Sequence, residues 1–199
     1  MIMYTEKGER TRQHFIEVSA DLFNKKGYAG TAVSEILEAA GYSKGALYRT
    51  FTDKDELSLE AFKYNLGKLQ RGLVKNIQSE KSAINKLLAI PNFYLNVSLE
   101  RFVPGGCPIL NTAIEVDDTN PKMNDVVKKA FSNWKNLILE IIVEGQSNKE
   151  FNQELNATEM AFYIIATIEG SIALAKSFKD KSVLNSNMEQ LKKHIRTNT

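Results

Sequence analysis

Cysteine, histidine and proline are scarce in this chain of 199 residues, and each shortage excludes a class of protein. The single cysteine cannot form an internal disulfide, so the sequence does not resemble a disulfide-stabilised secreted domain. With only two histidines, His14 and His194, it contains no metal-binding motif, and we expect neither a metal ion nor a cofactor. The four prolines and the lack of low-complexity stretches leave little room for a disordered linker.

Long hydrophobic runs and a large charge of one sign are also missing. No apolar run approaches the roughly 20 residues that cross a bilayer, and charged residues begin at Glu6, too early for a signal sequence. We therefore expect a cytoplasmic protein with no membrane partner. The formal net charge is +2, and residues 1–56 contain eight basic and nine acidic side chains. A nucleic-acid surface at this end must therefore rely on a local cluster of Lys44, Arg49 and Lys54.

The sequence is rich in helical periodicity. Apolar residues make up 43% of the chain and charged residues 25%, and the apolar residues recur at spacings of three and four. We expect an all-α fold with an N-terminal three-helix domain over residues 1–52 and a larger helical domain over residues 53–199.

The stretch from Thr31 to Phe51 contains two short amphipathic helices separated by a turn that begins at Gly41. The Ser43 hydroxyl suits the start of the second helix, and the spacing is that of a helix-turn-helix. The residues predicted to face outward near this helix start combine hydrogen-bond donors, an aromatic side chain and little bulk, as do those of a helix that enters a DNA major groove. They are Ser43, Lys44, Gly45, Ala46, Tyr48 and Arg49. A helical hairpin in a bundle has the same spacing, so the pattern alone leaves both interpretations open.

Residues 11–60 resemble the N-terminal DNA-binding domain of the TetR (tetracycline-repressor) family of bacterial regulators, above all in the stretch GTAVSEILEAAGYSKGALYRTFTDKDEL. The resemblance implies phosphate or backbone contacts from Thr31, Ser43, Tyr48 and Lys54, and base contacts from Lys44, Gly45 and Ala46. Where the family often has an aromatic residue or histidine, this chain has Thr50. The neighbouring Arg49 is the candidate to replace that contact.

The same resemblance implies an effector-binding and dimerisation role for the C-terminal domain. The last two predicted helices, residues 157–178 and a helix containing Leu184 to Ile195, would pair with those of a second copy. Gly170, inside the first of them, suggests that another backbone comes close. We predict a regulator rather than an enzyme: a repressor that binds a near-palindromic operator as a dimer and is released by an effector. The alternative is a helical small-molecule-binding or adaptor protein without operator binding.

Aromatic residues around Pro91 are candidates for an effector pocket. Pro91 should kink a helix predicted over residues 81–102 and leave a gap between helices that takes a small apolar ligand. The side chains expected there are Phe93, Tyr94, Phe102 and Trp134. The alternative is that these aromatic side chains simply fill the core.

A second candidate for sensing is Cys107, in the segment Pro104-Gly105-Gly106-Cys107-Pro108. The glycines break a helix and Pro108 suits the first position of the next, so Cys107 lies at or beside the N-cap, where the helix dipole favours a thiolate. Lys176 is the candidate basic partner. The alternative is a buried cysteine that fills space. The stretch GGCPILNTAIEVDD also resembles a Gly-Cys segment in a subset of the family, some of whose members respond to electrophiles.

Overall fold

The computed structural model describes residues 6–96 and 102–198, and in these ranges the regular structure consists of nine helices without a strand. The expected all-α fold class is confirmed. In chain order the helices are α1 (Glu6–Lys26), α2 (Val33–Ala40), α3 (Lys44–Thr50), α4 (Lys54–Gln78), α5 (Ala83–Asn96), α6 (Pro108–Val116), α7 (Pro121–Ser147), α8 (Ala157–Phe178) and α9 (Lys181–Thr197).

The helices fall into two compact units that differ from the predicted division at residue 52. The N-terminal unit comprises the chain up to Lys68 together with Val103–Asn124, and the C-terminal unit comprises the rest. The N-terminal unit therefore includes the first part of α4 and all of α6, which the prediction assigned to the effector domain.

The N-terminal unit forms around an apolar stripe on α1. Phe15 and Phe23 are buried there against Ile36 of α2 and Leu47 of α3. The turn between α2 and α3 follows the sequence signals: Gly41 adopts a left-handed conformation with φ of 68°, and the Ser43 hydroxyl accepts a hydrogen bond from the Ala46 amide. The predicted helix-turn-helix is confirmed.

Helix α6 and the loop before it are joined to the end of α1 by two carboxamides. The Asn24 amide donates to the carbonyls of Pro104 and Gly106 at 2.7 and 3.0 Å. The Asn111 amide donates to the Gly105 carbonyl at 2.8 Å and to two Asn24 oxygens at 3.1 Å. These bonds satisfy main-chain oxygens that the two glycines leave outside any helix.

A second set of contacts extends this attachment along α6. The Tyr28 hydroxyl lies 3.0 Å from the Thr112 hydroxyl, and the Ala29 amide donates to Glu115 at 2.8 Å. Burial raises the pKa of Tyr28 to about 12; the hydrogen bond to Thr112 opposes this shift and the Glu115 charge adds to it. Tyr28 therefore keeps its proton at neutral pH.

The C-terminal unit contains α5, α8 and α9, and α9 packs against both of the others. Helix α9 buries a stripe at helical spacing made of Leu184, Met188, Leu191 and Ile195. Pro91 lies inside α5, which ends at Asn96; the rest of the helix predicted over residues 81–102 lies largely outside the described residues.

Helix α8 is apolar but incompletely buried in the C-terminal unit. Among the described helices it alone is long and apolar enough to cross a membrane by length and composition. The sequence analysis predicted this helix but no apolar run of membrane-spanning length, because Glu169 and Lys176 interrupt the run, although they are the only charges of the helix after Met160. A Cβ added at Gly170 would meet nothing within 4 Å, so within residues 6–96 and 102–198 no second backbone approaches there.

Candidate functional site

The exposed face of α3 is the centre of the candidate site. Leu47 is buried and fixes the helix in the N-terminal unit, while Tyr48 remains 45% exposed. Lys44, Gly45 and Arg49 are also exposed, and the Lys44 ammonium lies 5.9 Å from the Tyr48 ring centroid. The structure therefore brings together the outward residues predicted from sequence on one exposed surface.

Two residues predicted to contact phosphate are engaged inside the N-terminal unit instead. Thr31 is fully buried and its hydroxyl donates to the Gly27 carbonyl at 2.7 Å; its predicted phosphate contact stays a prediction. The Lys54 ammonium donates to the Tyr28 carbonyl and lies 5.8 Å from the Phe23 ring. For Lys54, which is partly exposed, the phosphate contact stays a prediction.

A groove beside α3 contains residues that the sequence analysis missed. It has a volume of about 480 Å³ and is bordered by the first turns of α1 and by α3 with the preceding turn. Its lining residues are Lys7, Gly8, Thr11, Tyr42, Ser43, Ala46, Arg49 and Thr50. Lys7 and Thr11 were overlooked because they precede the apolar stripe of α1. The i, i+4 spacing that puts them on one face was the available signal.

The turn that carries Tyr42 is fixed by α1. The imidazole of His14, an exposed residue, lies with Nε2 3.0 Å from the Ala40 carbonyl at the end of α2. The Tyr42 ring lies 5.9 Å from His14 and 5.2 Å from Phe15, centroid to centroid. Contacts of the Tyr42 ring with these two α1 side chains thus help to position the turn before α3 begins.

The aromatic residues proposed for effector binding form a buried cluster in the C-terminal unit. Phe93 lies 5.9 Å from Phe102, and Tyr94 lies 6.3 Å from Trp134, measured between ring centroids. Phe93, Tyr94 and Trp134 are buried. Within the described residues the Trp134 indole N–H has no hydrogen-bond partner. The structure therefore brings the four residues into one region, and their role in effector binding stays a prediction.

Cys107 stands at the position expected from the sequence. It is the N-cap residue of α6, with Pro108 at the first helical position, and its side chain is fully buried. Cys107 belongs to the N-terminal unit and the exposed Lys176 to the C-terminal unit. Their predicted pairing stays a prediction.

Comparison with known families decides between a DNA-binding domain and an ordinary helical hairpin. Residues 15–61 match the model described as bacterial regulatory proteins, tetR family, and residues 83–191 match the tetracyclin repressor-like C-terminal domain. The chain belongs to the TetR family. The prediction of a helix-turn-helix, DNA-binding transcriptional regulator is therefore confirmed, and the family is one of regulators rather than enzymes.

Solved structures and a named repressor support the TetR-family assignment. A TetR-family regulator from Cytophaga hutchinsonii is 34% identical with a TM-score of 0.92, and one from Chloroflexus aurantiacus J-10-FL is 35% identical with a TM-score of 0.93. Each alignment covers 98% of both chains. The HTH-type transcriptional repressor DhaR of Mycobacterium sp. (strain GP1) is 25% identical over 87% of this chain and 86% of its own.

Proposed function

We propose that this TetR-family regulator is a cytoplasmic repressor without catalytic activity, which binds a near-palindromic operator as a homodimer and releases it when a small effector binds. The observation that carries the DNA contact is the exposed face of α3, where Lys44, Tyr48 and Arg49 project from a helix held by Leu47. Cations and hydroxyls on this face suit phosphates, and Lys44 beside the small Gly45 suits a guanine edge.

Replacing Lys44 with alanine tests this assignment directly. We expect Lys44→Ala to weaken binding to the DNA flanking the protein's own gene by about ten-fold, because a good base contact contributes about 1–3 kcal/mol. Binding to an unrelated duplex of equal length should change much less. Fluorescence anisotropy with both duplexes measures the two affinities.

The control for this experiment is Lys25→Ala, which removes an exposed lysine in the last turn of α1, outside the predicted DNA-binding residues. Equal affinity of wild type and Lys44→Ala for the flanking DNA would contradict the base contact. A wild-type protein that binds neither duplex, even at low salt, would favour the helical adaptor or small-molecule-binding protein.

The proposed dimer uses the exposed apolar stripe of α8 together with α9. Phe162 and Leu174 are 57% and 45% exposed, and Ala166 and Gly170 lie between them at intervals of four residues, on one helix face. A contiguous exposed apolar stripe is typical of a protein interface. The open space at Gly170 leaves room for the backbone of a second copy.

A charge placed in this stripe should separate the subunits. We expect Leu174→Glu to weaken dimerisation at least ten-fold, because two-fold symmetry would bury two carboxylates in an apolar contact. Light scattering after size-exclusion chromatography over a range of concentrations measures the shift. The matched control is Ile114→Glu, which changes an apolar side chain of α6 that is 71% exposed. A Leu174→Glu protein that dimerises like the control would refute this interface.

For the effector we propose a small apolar molecule bound at the aromatic cluster of Phe93, Tyr94, Phe102 and Trp134. The support for this proposal is that the four aromatic side chains lie in one region of the C-terminal unit, where a ligand that enters between them would meet apolar surface. Electrophile sensing at Cys107, with Lys176 as the basic partner, is the second candidate and rests on the resemblance of the Gly-Cys segment.

A further inference from the structure

We propose that the groove between α1 and α3 binds the phosphate backbone of DNA, with Lys7 of α1 and Tyr42 of the turn before α3 as contacts additional to the predicted DNA-binding residues. The inference rests on the proposed function, since it presupposes DNA at the exposed face of α3. It assigns a DNA-binding role to the first turn of α1, which lies outside the predicted contact residues.

The groove is continuous with the exposed face of α3. Ser43, Ala46 and Arg49 line it on one side, and these residues also belong to the predicted DNA-binding set. Lys7 and Thr11 line the other side. Because the two sides share one concave surface, we expect a DNA strand that contacts Arg49 to pass Lys7 as well.

Neither Lys7 of α1 nor Arg49 of α3 forms an ion pair within residues 6–96 and 102–198. In this they differ from most of the basic residues of α1. Three of the five basic residues of α1 pair with glutamate: Arg10, Arg12 and Lys26. A cation already paired gains less from phosphate, whereas Lys7 and Arg49 retain charge that phosphate can neutralise. The groove therefore has a positive charge at each side.

The acidic side chains in the first turns of α1, Glu6 and Glu9, do not line the groove. With 3.6 residues per turn, Thr11 lies about 40° from Lys7 around the axis, whereas Glu9 lies about 200° away, on the opposite side. Glu6 is held by Arg10 at 3.1 Å. The near balance of charge in the N-terminal domain therefore conceals a local excess of positive charge in the groove.

Hydroxyl groups supply the remaining donors. Tyr42 is 42% exposed and lines the groove, and its described contacts with His14 and Phe15 are made by the ring. The Ser43 oxygen accepts from the Ala46 amide at 3.3 Å, which leaves the hydroxyl hydrogen able to donate. Cations with hydroxyl donors and no base-reading geometry are typical of contacts to the DNA backbone.

Salt dependence of DNA binding tests this site without knowledge of the operator. The probe is a fluorescein-labelled, mixed-sequence duplex of about 20 base pairs, titrated with protein between about 50 and 200 mM NaCl. We expect Lys7→Ala to reduce the slope of log K against log salt by about 1 per subunit bound, because one phosphate contact is lost. Tyr42→Phe should weaken binding about five-fold at every salt concentration without changing the slope, since it removes an uncharged donor.

The control is Lys25→Ala, another exposed lysine without a described ion pair, about 27 Å along the axis of α1 from Lys7. It should leave the slope unchanged. A wild-type slope in Lys7→Ala, or an equal loss in Lys25→Ala, would overturn the groove and leave the proposed regulator intact. A wild-type protein that does not bind the duplex at the lowest salt would overturn both.

Discussion

Replacing Gly105 with alanine should destabilise the N-terminal unit by about 3 kcal/mol. Gly105 has φ of +94°, a region in which an L-residue is strained by about 1–2 kcal/mol. The added Cβ would also lie 2.4 Å from the Asn24 carbonyl oxygen and 2.9 Å from the Lys25 nitrogen. These are main-chain atoms of a helix, so relief requires the loop to move away and lose the Asn24 and Asn111 hydrogen bonds.

Gly41→Ala is the matched control, because it separates backbone strain from the steric clash. Gly41 has φ of +68°, but a Cβ there would meet nothing within 4 Å, so we expect a loss of about 1–2 kcal/mol. Urea unfolding followed by far-UV circular dichroism measures both variants. Equal losses of unfolding free energy in the two variants would show that a Cβ at position 105 does not clash with α1.

The single tryptophan makes it possible to assign the loss to one unit. Trp134 belongs to the C-terminal unit, so its fluorescence reports on unfolding there, whereas circular dichroism reports on all helices. If the two units unfold separately, Gly105→Ala should move part of the dichroism transition and leave the tryptophan transition in place. Coincident shifts would instead mean that the chain unfolds as one cooperative unit.

The helices and the helix-turn-helix were predictable because their signals are local. Helix α8 has the bounds expected from sequence, since Asn156 caps its start with hydrogen bonds to two amides and Lys179 ends it in a left-handed conformation. Likewise Gly41 and Ser43 define the turn before α3 through contacts with neighbours only a few residues away. Such signals are readable without knowledge of the fold.

The position of α6 was not predictable in this way. The hydrogen bonds between Asn24 and Asn111 join residues 87 positions apart, and carboxamides carry no periodic signal. The burial of Thr31 was not predictable for the same reason. The family resemblance implied a phosphate contact of its hydroxyl, whereas in the folded chain the hydroxyl is buried and bonded to the Gly27 carbonyl. The groove at Lys7 also depends on how α1 and α3 approach each other, which is a tertiary feature.

Replacing Asn111 with aspartate should cost about 3–4 kcal/mol at neutral pH. The Asn111 amide group donates to three oxygens, the Gly105 carbonyl at 2.8 Å and the Asn24 carbonyl and side chain at 3.1 Å. In Asn111→Asp a carboxylate oxygen would face these acceptors, so the hydrogen bonds are lost and repulsion replaces them. Urea unfolding at pH 7 measures the difference from wild type.

The pH dependence of Asn111→Asp distinguishes electrostatic repulsion at the new carboxylate from a loss of packing alone. Surrounding oxygens disfavour the charged form, so the pKa of the new carboxyl in the folded state is raised above its unfolded value of about 3.9. The stability of the variant is therefore highest below that unfolded value, where the carboxylic acid can donate a proton. It decreases as the pH rises toward the folded pKa, and above it the full loss remains.

Asn124→Asp provides the control within the same unit. The Asn124 amide donates to the Asp117 carbonyl at 3.0 Å in an exposed setting, where water replaces the lost bond, so we expect a cost below about 1 kcal/mol. If Asn111→Asp costs no more than this, or does not recover in acid relative to wild type, the carboxamide contacts do not hold α6 to α1. A large, acid-reversible loss would instead show that Val103–Asn124 folds with the DNA-binding helices, although the chain places it between two stretches of the C-terminal unit.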